Sequence, residues 1–184
     1  RITRGNITRT TDVPAPISSQ TPVALRDWLE ERGERAFRAN QILQWVHQNH
    51  VADWNGMTNL GIQLRLGLTR TFEFSTLELA RKQGSSDTTQ KFLWKLRDEQ
   101  FVESVLIPAS PALYGETSDR HTLCVSTQVG CAYGCTFCAS GLDGFKRNLA
   151  PAEIIDQVLA TERWHKEQGG AGERIINNLV IMGM

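Results

Sequence analysis

The sequence lacks an excess of charge of either sign, a long apolar run and an export signal. Lysine plus arginine total 20 of 184 residues and aspartate plus glutamate also total 20, so no basic surplus by itself indicates nucleic-acid binding. No apolar run approaches the roughly 20 residues of a membrane helix, and residues 1–11 are polar rather than charged and then apolar. The sequence thus gives no sign of a membrane helix or an export signal, and we expect a cytoplasmic protein.

The chain also lacks an initiating methionine and a clear end. It begins at Arg1, and residues 179–184 form an apolar run that stops where a strand should turn into a loop. We therefore expect a fragment of a longer protein. The 40% hydrophobic content predicts that it folds, either as one domain or as a small domain joined to part of a larger one.

Cysteine is scarce, and all four cysteines fall between positions 124 and 138. Without an export signal they should be reduced thiols. Cys131, Cys135 and Cys138 form a C-x3-C-x2-C run that could wrap one side of a metal centre. A cubane iron-sulfur cluster held by three cysteines leaves its fourth iron open, whereas a structural zinc site requires four protein ligands.

Two other interpretations of the three clustered cysteines remain open at this point. Cys124 or His121 could complete a zinc site, although the second C-x2-C pair that is usual in such sites is missing. Cys135 and Cys138 could instead be a thioredoxin-like redox pair, which would have to open a helix without Cys131 nearby. Metal analysis separates these interpretations from an iron-sulfur cluster.

The first half of the chain has helical periodicity after a polar start. Pro14 and Pro16, with Pro22 just beyond, and many Thr, Ser and Arg residues indicate a mobile leader over residues 1–20. Helical spacing then predicts helices over residues 21–33 and 36–49, with a weaker one over residues 58–68. They form a small helical module in which Trp28, Trp45 and Trp54 suit a core as well as base stacking.

In the second half of the chain, the period of the apolar residues shifts towards two, which is typical of strands. Residues 91–96 and 101–107 read as strands joined by the polar turn 97–100, which predicts a hairpin. A strand over residues 121–125 leads into the cysteine loop, and a helix from Pro151 to the Gly169-Gly170 pair precedes a strand over residues 175–182. Strand, loop, helix and strand make a βαβ unit, so the loop should lie at the carboxyl ends of parallel strands.

Motifs on both sides of the cysteine loop carry a family resemblance. They are KFLWKL at 91–96, VESVLIP at 102–108, TLCVSTQVGC at 122–131, GFKRNL at 144–149 and MGM at 182–184, together with the C-x3-C-x2-C run. The chain resembles the radical S-adenosylmethionine (SAM) family of dual-specificity adenine-C2 methyltransferases that modify ribosomal and transfer RNA. The resemblance covers residues 21–184. The related family that methylates carbon 8 of adenine shares most of these motifs.

The resemblance implies an α/β fold in which a small helical accessory domain precedes the beginning of a partial (β/α) radical SAM barrel, truncated after its second strand. The expected divisions are a leader (1–20), a helical RNA-binding-like domain (21–85), a β-hairpin and connector (86–118), and the start of the radical SAM core (119–184). Such an enzyme is expected to be a monomer that methylates 23S rRNA and tRNA with electrons from a flavodoxin or ferredoxin.

The resemblance also implies roles for individual residues. Cys131, Cys135 and Cys138 would hold a 4Fe-4S cluster that binds SAM, and the terminal Gly183-Met184 pair would begin a SAM-contacting turn. A methyl group is carried on a further cysteine that this chain lacks.

Two further residues match catalytic positions of the family. Cys124 matches the cysteine that closes the product-releasing disulfide, although a small buried strand residue is the alternative. Glu103 matches the proton acceptor, although a solvent-facing glutamate is the alternative. Alternation along the strand places Glu103 with Phe101, Val105 and Ile107, so apolar neighbours should raise its pKa.

Lys146 and Arg147 could contact RNA phosphate or SAM, or could simply be solvated at a helix entrance. Because two parallel strands and one helix cannot bury their apolar faces, we expect the chain alone to be inactive and to aggregate or require further sequence. A zinc-dependent RNA-binding module and a radical SAM enzyme with another substrate remain the alternative functions.

Overall fold

The computed structural model of the chain describes residues 14–84, 89–109, 120–170 and 174–182. Within these ranges none of the helices is long and apolar enough to cross a membrane. The helices are α1 (Pro22–Glu30), α2 (Arg38–His47), α3 (Ile62–Thr71) and α4 (Pro151–Glu167). The strands are β1 (Ala15–Pro16), β2 (Phe72–Glu73), β3 (Leu77–Gln83), β4 (Gln90–Leu96), β5 (Phe101–Pro108), β6 (His121–Ser126), β7 (Gln128–Val129), β8 (Arg147–Asn148) and β9 (Asn178–Met182).

Helices α1 to α3 form the predicted helical module. Helix α1 begins where its sequence directs: the Thr21 hydroxyl accepts a hydrogen bond from the Ala24 amide at 3.1 Å, and proline occupies the first turn. Its buried Leu25 and Leu29 pack with the apolar stripes of α2 and α3. The third helix begins at Ile62, four residues later than predicted.

The predicted leader is wrong for residues 14–20. Strand β1 pairs in parallel with β2, and Ile17 is completely buried in the core of the helical module. A buried isoleucine anchors this segment in spite of its prolines, which suit an extended edge and a short 3-10 turn. Residues 1–13 lie outside the described residues.

The second half of the chain forms a five-stranded sheet in the order β3-β4-β5-β6-β9. Strands β3 to β6 pair antiparallel with their neighbours, and β6 pairs in parallel with β9. The hairpin of β4 and β5 and the βαβ unit of β6, α4 and β9 are confirmed. Glu99 has a positive φ of 62° in the hairpin turn.

Strand β3 was not predicted, and it lies within residues that were assigned to the helical domain. Its sequence, Leu-Glu-Leu-Ala-Arg-Lys-Gln, is rich in residues that favour helices. Six of its seven residues are exposed, and as the edge strand it gains little from an apolar face. The sheet therefore begins at Leu77, earlier than the expected boundary at residue 85.

Helix α4 joins the helical module to the sheet. Its Leu159 belongs to the core of the helical module, while Ile154, Val158 and Trp164 pack against the sheet. Between these sides, the completely buried Asp156 accepts hydrogen bonds from the amide and hydroxyl of Thr76, both at 2.7 Å. The two parts of the chain therefore share one helix and are held in a defined orientation.

Candidate active site

The two faces of the sheet carry different residues, because side chains alternate along each strand. One face, which we call the helix face, packs on α4 through a core formed mainly by Phe92, Trp94, Leu96, Val102, Leu106, Leu123 and Val125. The other face, which we call the open face, carries Lys91, Leu93, Glu103, Val105 and Cys124, as the strand register shows. Both predicted catalytic residues therefore lie on the open face.

Glu103 lies on β5 and forms an ion pair with Lys91 of β4, with 2.7 Å between Lys91 Nζ and Glu103 Oε1. Its side chain is 34% exposed, and Phe101 and Ile107 on the same face are 48% and 41% exposed. The expectation that apolar neighbours desolvate Glu103 is wrong, because β5 buries the alternate residues against α4. Glu103 is instead a half-exposed carboxylate that is oriented by a lysine.

Cys124 lies on β6, directly opposite Val105, and is 4% exposed. Desolvation raises the pKa of its thiol above the ordinary range. The register places Cys124 diagonally across the strand pair from Glu103, a relation that separates Cα atoms by about 7–8 Å. A thiol and a carboxylate thus share one small region of the open face.

The cysteine loop emerges from the carboxyl end of β6, as the βαβ pattern predicts. Cys131, Cys135 and Cys138 are half-buried free thiols, and the Cys138 amide donates to the Cys135 carbonyl at 3.1 Å. Within the described ranges, no three His, Cys, Asp or Glu side chains are grouped closely enough to hold a metal ion. The donor set nevertheless fits an iron-sulfur cluster, because it offers three thiols within eight residues of one loop.

The two ends of this loop are held together at a narrow neck. The Lys146 amide donates to the Val129 carbonyl at 3.0 Å, and β7 pairs with β8. Gly130 has a φ of 70°, and a Cβ atom there would overlap the Gly144 carbonyl, so this position requires glycine. The neck fixes the base of the loop against the sheet while the cysteines lie beyond it.

Arg147 at the neck is engaged within the protein. Its guanidinium binds both carboxylate oxygens of Glu153 at 2.8 and 2.9 Å and contacts Asp98 of the hairpin turn at 2.8 Å. Glu153 and Asp98 raise the pKa of Arg147 further, and the hydrogen bond from Arg147 lowers the pKa of Asp98. Arg147 therefore belongs to an internal ion-pair network that joins the loop, the hairpin and α4, so the alternative of a merely solvated side chain does not describe it.

A cleft of about 370 Å³ separates the open face of the sheet from the cysteine loop. Lys91, Phe101 and Glu103 line it from the sheet, and Gly130, Ala139, Ser140, Asp143 and Lys146 line it from the loop segment. Glu103, the predicted proton acceptor, thus faces the loop across a space in which a substrate group could lie. Gly183 and Met184, the expected SAM contacts, lie outside the described residues.

The sequence prediction assigned no role to Lys91, which lies in the site, or to Gln157, which lies behind it on α4. Lys91 stands in a motif that carried the family resemblance, and the predicted hairpin register could have placed it diagonally across from Glu103. Gln157 is completely buried on α4, and its amide bonds Ser104 Oγ and both backbone groups of Ser126. A glutamine beside the apolar stripe of a predicted helix was the available signal.

Comparison with known proteins agrees with this arrangement. Residues 18–74 match the family model of the ribosomal RNA large subunit methyltransferase N-terminal domain. The chain is 49% identical over 172 residues to a probable dual-specificity RNA methyltransferase RlmN of Akkermansia muciniphila, covering 93% of this chain and 46% of that protein. It is 47% identical over 153 residues to the dual-specificity RNA methyltransferase RlmN of Anaeromyxobacter dehalogenans, covering 83% and 39%.

The chain belongs to the RlmN family. Its fold matches the crystal structure of a radical SAM methyltransferase from Sphaerobacter thermophilus, with a TM-score of 0.78 and 36% identity, over 93% of this chain and 47% of that one. The predicted α/β class is thereby confirmed. The chain spans less than half the length of the RlmN relatives that it matches, and the match includes both the helical module and the sheet with its cysteine loop.

Proposed function

We propose that this chain supplies the cluster-binding loop, the proton acceptor and one catalytic thiol of a radical SAM enzyme that methylates carbon 2 of adenine in 23S rRNA and tRNA. The observation that carries the proposal is the placement of Glu103 and Cys124 on one sheet face beside the three-cysteine loop. The RNA methyltransferase names of the RlmN relatives support the substrate class.

Cys131, Cys135 and Cys138 would hold a 4Fe-4S cluster as thiolates. With three protein ligands, one iron would stay available to SAM. The bound cluster and SAM would supply radical chemistry, and Gly183 with Met184 would contribute to the SAM site. The neck at Gly130 and the Arg147 network would hold this loop in a fixed place relative to Glu103.

Glu103 would accept the proton that leaves the adenine ring after a methylene group adds to it, and the carbon–hydrogen bonding pair would stay in the ring. The Cys124 sulfur would then bond to the sulfur that carried the methyl group while the bond from that sulfur to the methylene carbon breaks. The Cys124 proton would pass to the released carbon, and the extra electron left by the radical addition would leave to the redox cofactor. The raised pKa of the Cys124 thiol suits a group that stays protonated until this last step.

The remaining features of the proposal follow the family. The enzyme would be a cytoplasmic monomer that takes electrons from a flavodoxin or ferredoxin, and its methyl-carrying cysteine would come from sequence beyond this chain. The chain alone would be inactive. Leu179 and Ile181 on β9 are 46% and 66% exposed on the side of the sheet that α4 covers elsewhere, so the edge at β9 would require further chain.

The test begins with iron and acid-labile sulfide in the anaerobically reconstituted chain and in a variant with Cys131, Cys135 and Cys138 changed to alanine. About four irons and four sulfides per chain, lost in the variant, would support the cluster. Stoichiometric zinc without sulfide would overturn it and favour the zinc-dependent binding module.

The full-length protein that contains this chain would then be assayed on 23S rRNA and tRNA. Mass spectrometry of the RNA should find the new methyl group on carbon 2 of adenine. A methyl group on carbon 8 would instead assign the chain to the related family, and no RNA product would overturn the proposed activity.

A further inference from the structure

Lys91 is the charged partner that the structure gives to Glu103. The two side chains reach each other from neighbouring strands, with 2.7 Å between Nζ and Oε1, and both line the cleft between the open face and the cysteine loop. The lysine contacts one carboxylate oxygen, which leaves Oε2 for another partner. Lys91 therefore determines how the carboxylate is turned within the cleft.

This contact does not follow from direct cross-strand pairing. Leu93 is opposite Glu103 and Val105 is opposite Lys91, so the ammonium reaches the carboxylate diagonally. Lys95 lies on the same strand and the same face, but its ammonium pairs with Glu99 of the hairpin turn at 2.6 Å, outside the cleft. Strand β4 thus presents one lysine to the cleft and a second, similarly paired lysine to the turn.

A half-exposed carboxylate needs such a partner. The Glu103 side chain is 34% exposed, and free rotation about its side-chain bonds would spread its oxygens over many positions. The other charged groups that line the cleft are Asp143 and Lys146, and the Lys146 ammonium donates to Gln100 Oε1 at 3.0 Å. Lys91 is therefore the cation that is placed to restrict Glu103.

We propose that Lys91 is a positioning residue for the methylation reaction: its ammonium holds Glu103 Oε1 and directs Oε2 towards the adenine ring. This inference rests on the proposed function. The proton moves from the ring carbon to Oε2, the bonding pair stays in the ring, and the carboxylate becomes a neutral carboxyl group. Lys91 takes no part in the transfer, because an ammonium group has no site for another proton.

The test compares Lys91→Met, Lys91→Arg and the control Lys95→Met in the full-length protein. Lys91→Met should lower the rate of adenine methylation by about 10- to 100-fold, since a misplaced reactive group costs up to about that factor. Lys95→Met should stay within about twofold, because exposed ion pairs contribute little. Lys91→Arg should recover most of the rate, because guanidinium also binds a carboxylate.

A second readout separates positioning from a structural role. If proton removal is slowed after the ring has joined the methyl-carrying cysteine, labelled RNA should remain covalently attached to the Lys91→Met protein in denaturing gels. Methylation of that cysteine and formation of 5'-deoxyadenosine should still occur in the first turnover. The thermal unfolding midpoint of Lys91→Met should match that of Lys95→Met.

Each contrary result has a distinct meaning. Equal methylation rates in Lys91→Met and Lys95→Met, with an active parent protein, would overturn the role of Lys91 alone. A lower unfolding midpoint in Lys91→Met together with loss of cysteine methylation and no RNA adduct would show a structural role and would also overturn it. A parent protein that carries a cluster but methylates no RNA would overturn the proposed function, and the inference with it.

Discussion

The two faces of the five-stranded sheet use the same strands for different purposes. On the helix face, Phe92 and Trp94 stack with ring centroids 5.4 Å apart, and Trp164 of α4 meets Phe92 edge-on at 5.1 Å. On the open face, the neighbours of these residues include Lys91 and a half-exposed Leu93. The helix face is a packed core, whereas the open face is charged and borders the cleft.

This difference shows how alternation separates stability from chemistry. Because adjacent residues of a strand point to opposite faces, Glu103 can contact a substrate group while Val102 and Ser104 stay buried against α4. Substitutions on the two faces should therefore have different consequences, even between consecutive residues. The helix face should govern the free energy of unfolding, and the open face should govern activity.

The largest stability effect is expected for Phe92→Ala. This side chain is completely buried and contacts two tryptophan rings, so its removal should lower the free energy of unfolding by about 3–5 kcal/mol. Leu93→Ala, on the adjacent open-face position, should cost about 1 kcal/mol or less because the leucine is only half-buried. Urea unfolding at low protein concentration, followed by tryptophan fluorescence, would measure both, and equal losses would contradict the division between the faces.

The next largest effect is expected for Gln157→Leu. The Gln157 amide accepts from Ser104 Oγ at 2.8 Å and from the Ser126 amide at 2.9 Å, in a region from which solvent is excluded. Leucine would leave the Ser104 hydroxyl hydrogen and the Ser126 amide without an acceptor and should lower the free energy of unfolding by about 2–3 kcal/mol.

The matched control for Gln157→Leu is Gln168→Leu at the exposed end of α4, which should change stability by less than about 0.5 kcal/mol. Chemical denaturation of both variants gives the comparison. A Gln157→Leu protein as stable as the control would show that the buried hydrogen bonds contribute little to joining α4 and the sheet.

Helices and strands whose apolar residues recur with a clear period were predicted from the sequence. Elements that depend on contacts with distant parts of the chain were not. Alternating apolar residues identified β4 and β5, whereas β3 has helix-favouring residues and exists because β4 offers it an unpaired edge. The leader was misjudged because the burial of Ile17 depends on helices that follow it in sequence. Its own neighbours, mostly proline and polar residues, contain no sign of that burial.

For the candidate site, the sequence indicated residues but not their environment. The cysteine spacing and the motifs indicated Glu103 and Cys124, whose catalytic roles stay predictions, and the alternative that Cys124 is a small buried strand residue agrees with its burial. The surroundings of Glu103 were wrong because alternation defines which residues share a face but not which face α4 covers. The Arg147 network joins residues 49 and six positions apart, and no local pattern links the more distant pair.

Within the site, the open face and the cysteine loop should also differ in thiol reactivity. Burial raises the pKa of Cys124 and limits access to it, whereas the three loop cysteines are half-buried. In the reduced, metal-free chain, Cys124 should react with iodoacetamide at least about tenfold more slowly than the loop cysteines. Mass spectrometry of digested samples over time would give each rate. In denaturing urea the four rates should become similar, and similar rates in the folded chain would place Cys124 in contact with solvent.

The smallest effect is expected at Asp98, where the hairpin turn meets the neck of the cysteine loop. The hydrogen bond from Arg147 lowers the pKa of this carboxyl, so its ionised form stabilises the folded chain above the ordinary aspartate pKa. That stabilisation is lost as the pH falls through the lowered value. Because the side chain is 44% exposed, its contribution should be at most about 0.5 kcal/mol.

The test at Asp98 is Asp98→Asn, which keeps an oxygen that can accept the Gln100 amide in the turn. Compared by urea unfolding, the parent should be slightly more stable than the variant at neutral pH, and the difference should vanish in acid. Salt should reduce the difference at neutral pH. A difference that persists at low pH would assign the effect to packing of the turn rather than to the ion pair with Arg147, and the open face would then be held to the loop by contacts other than charge.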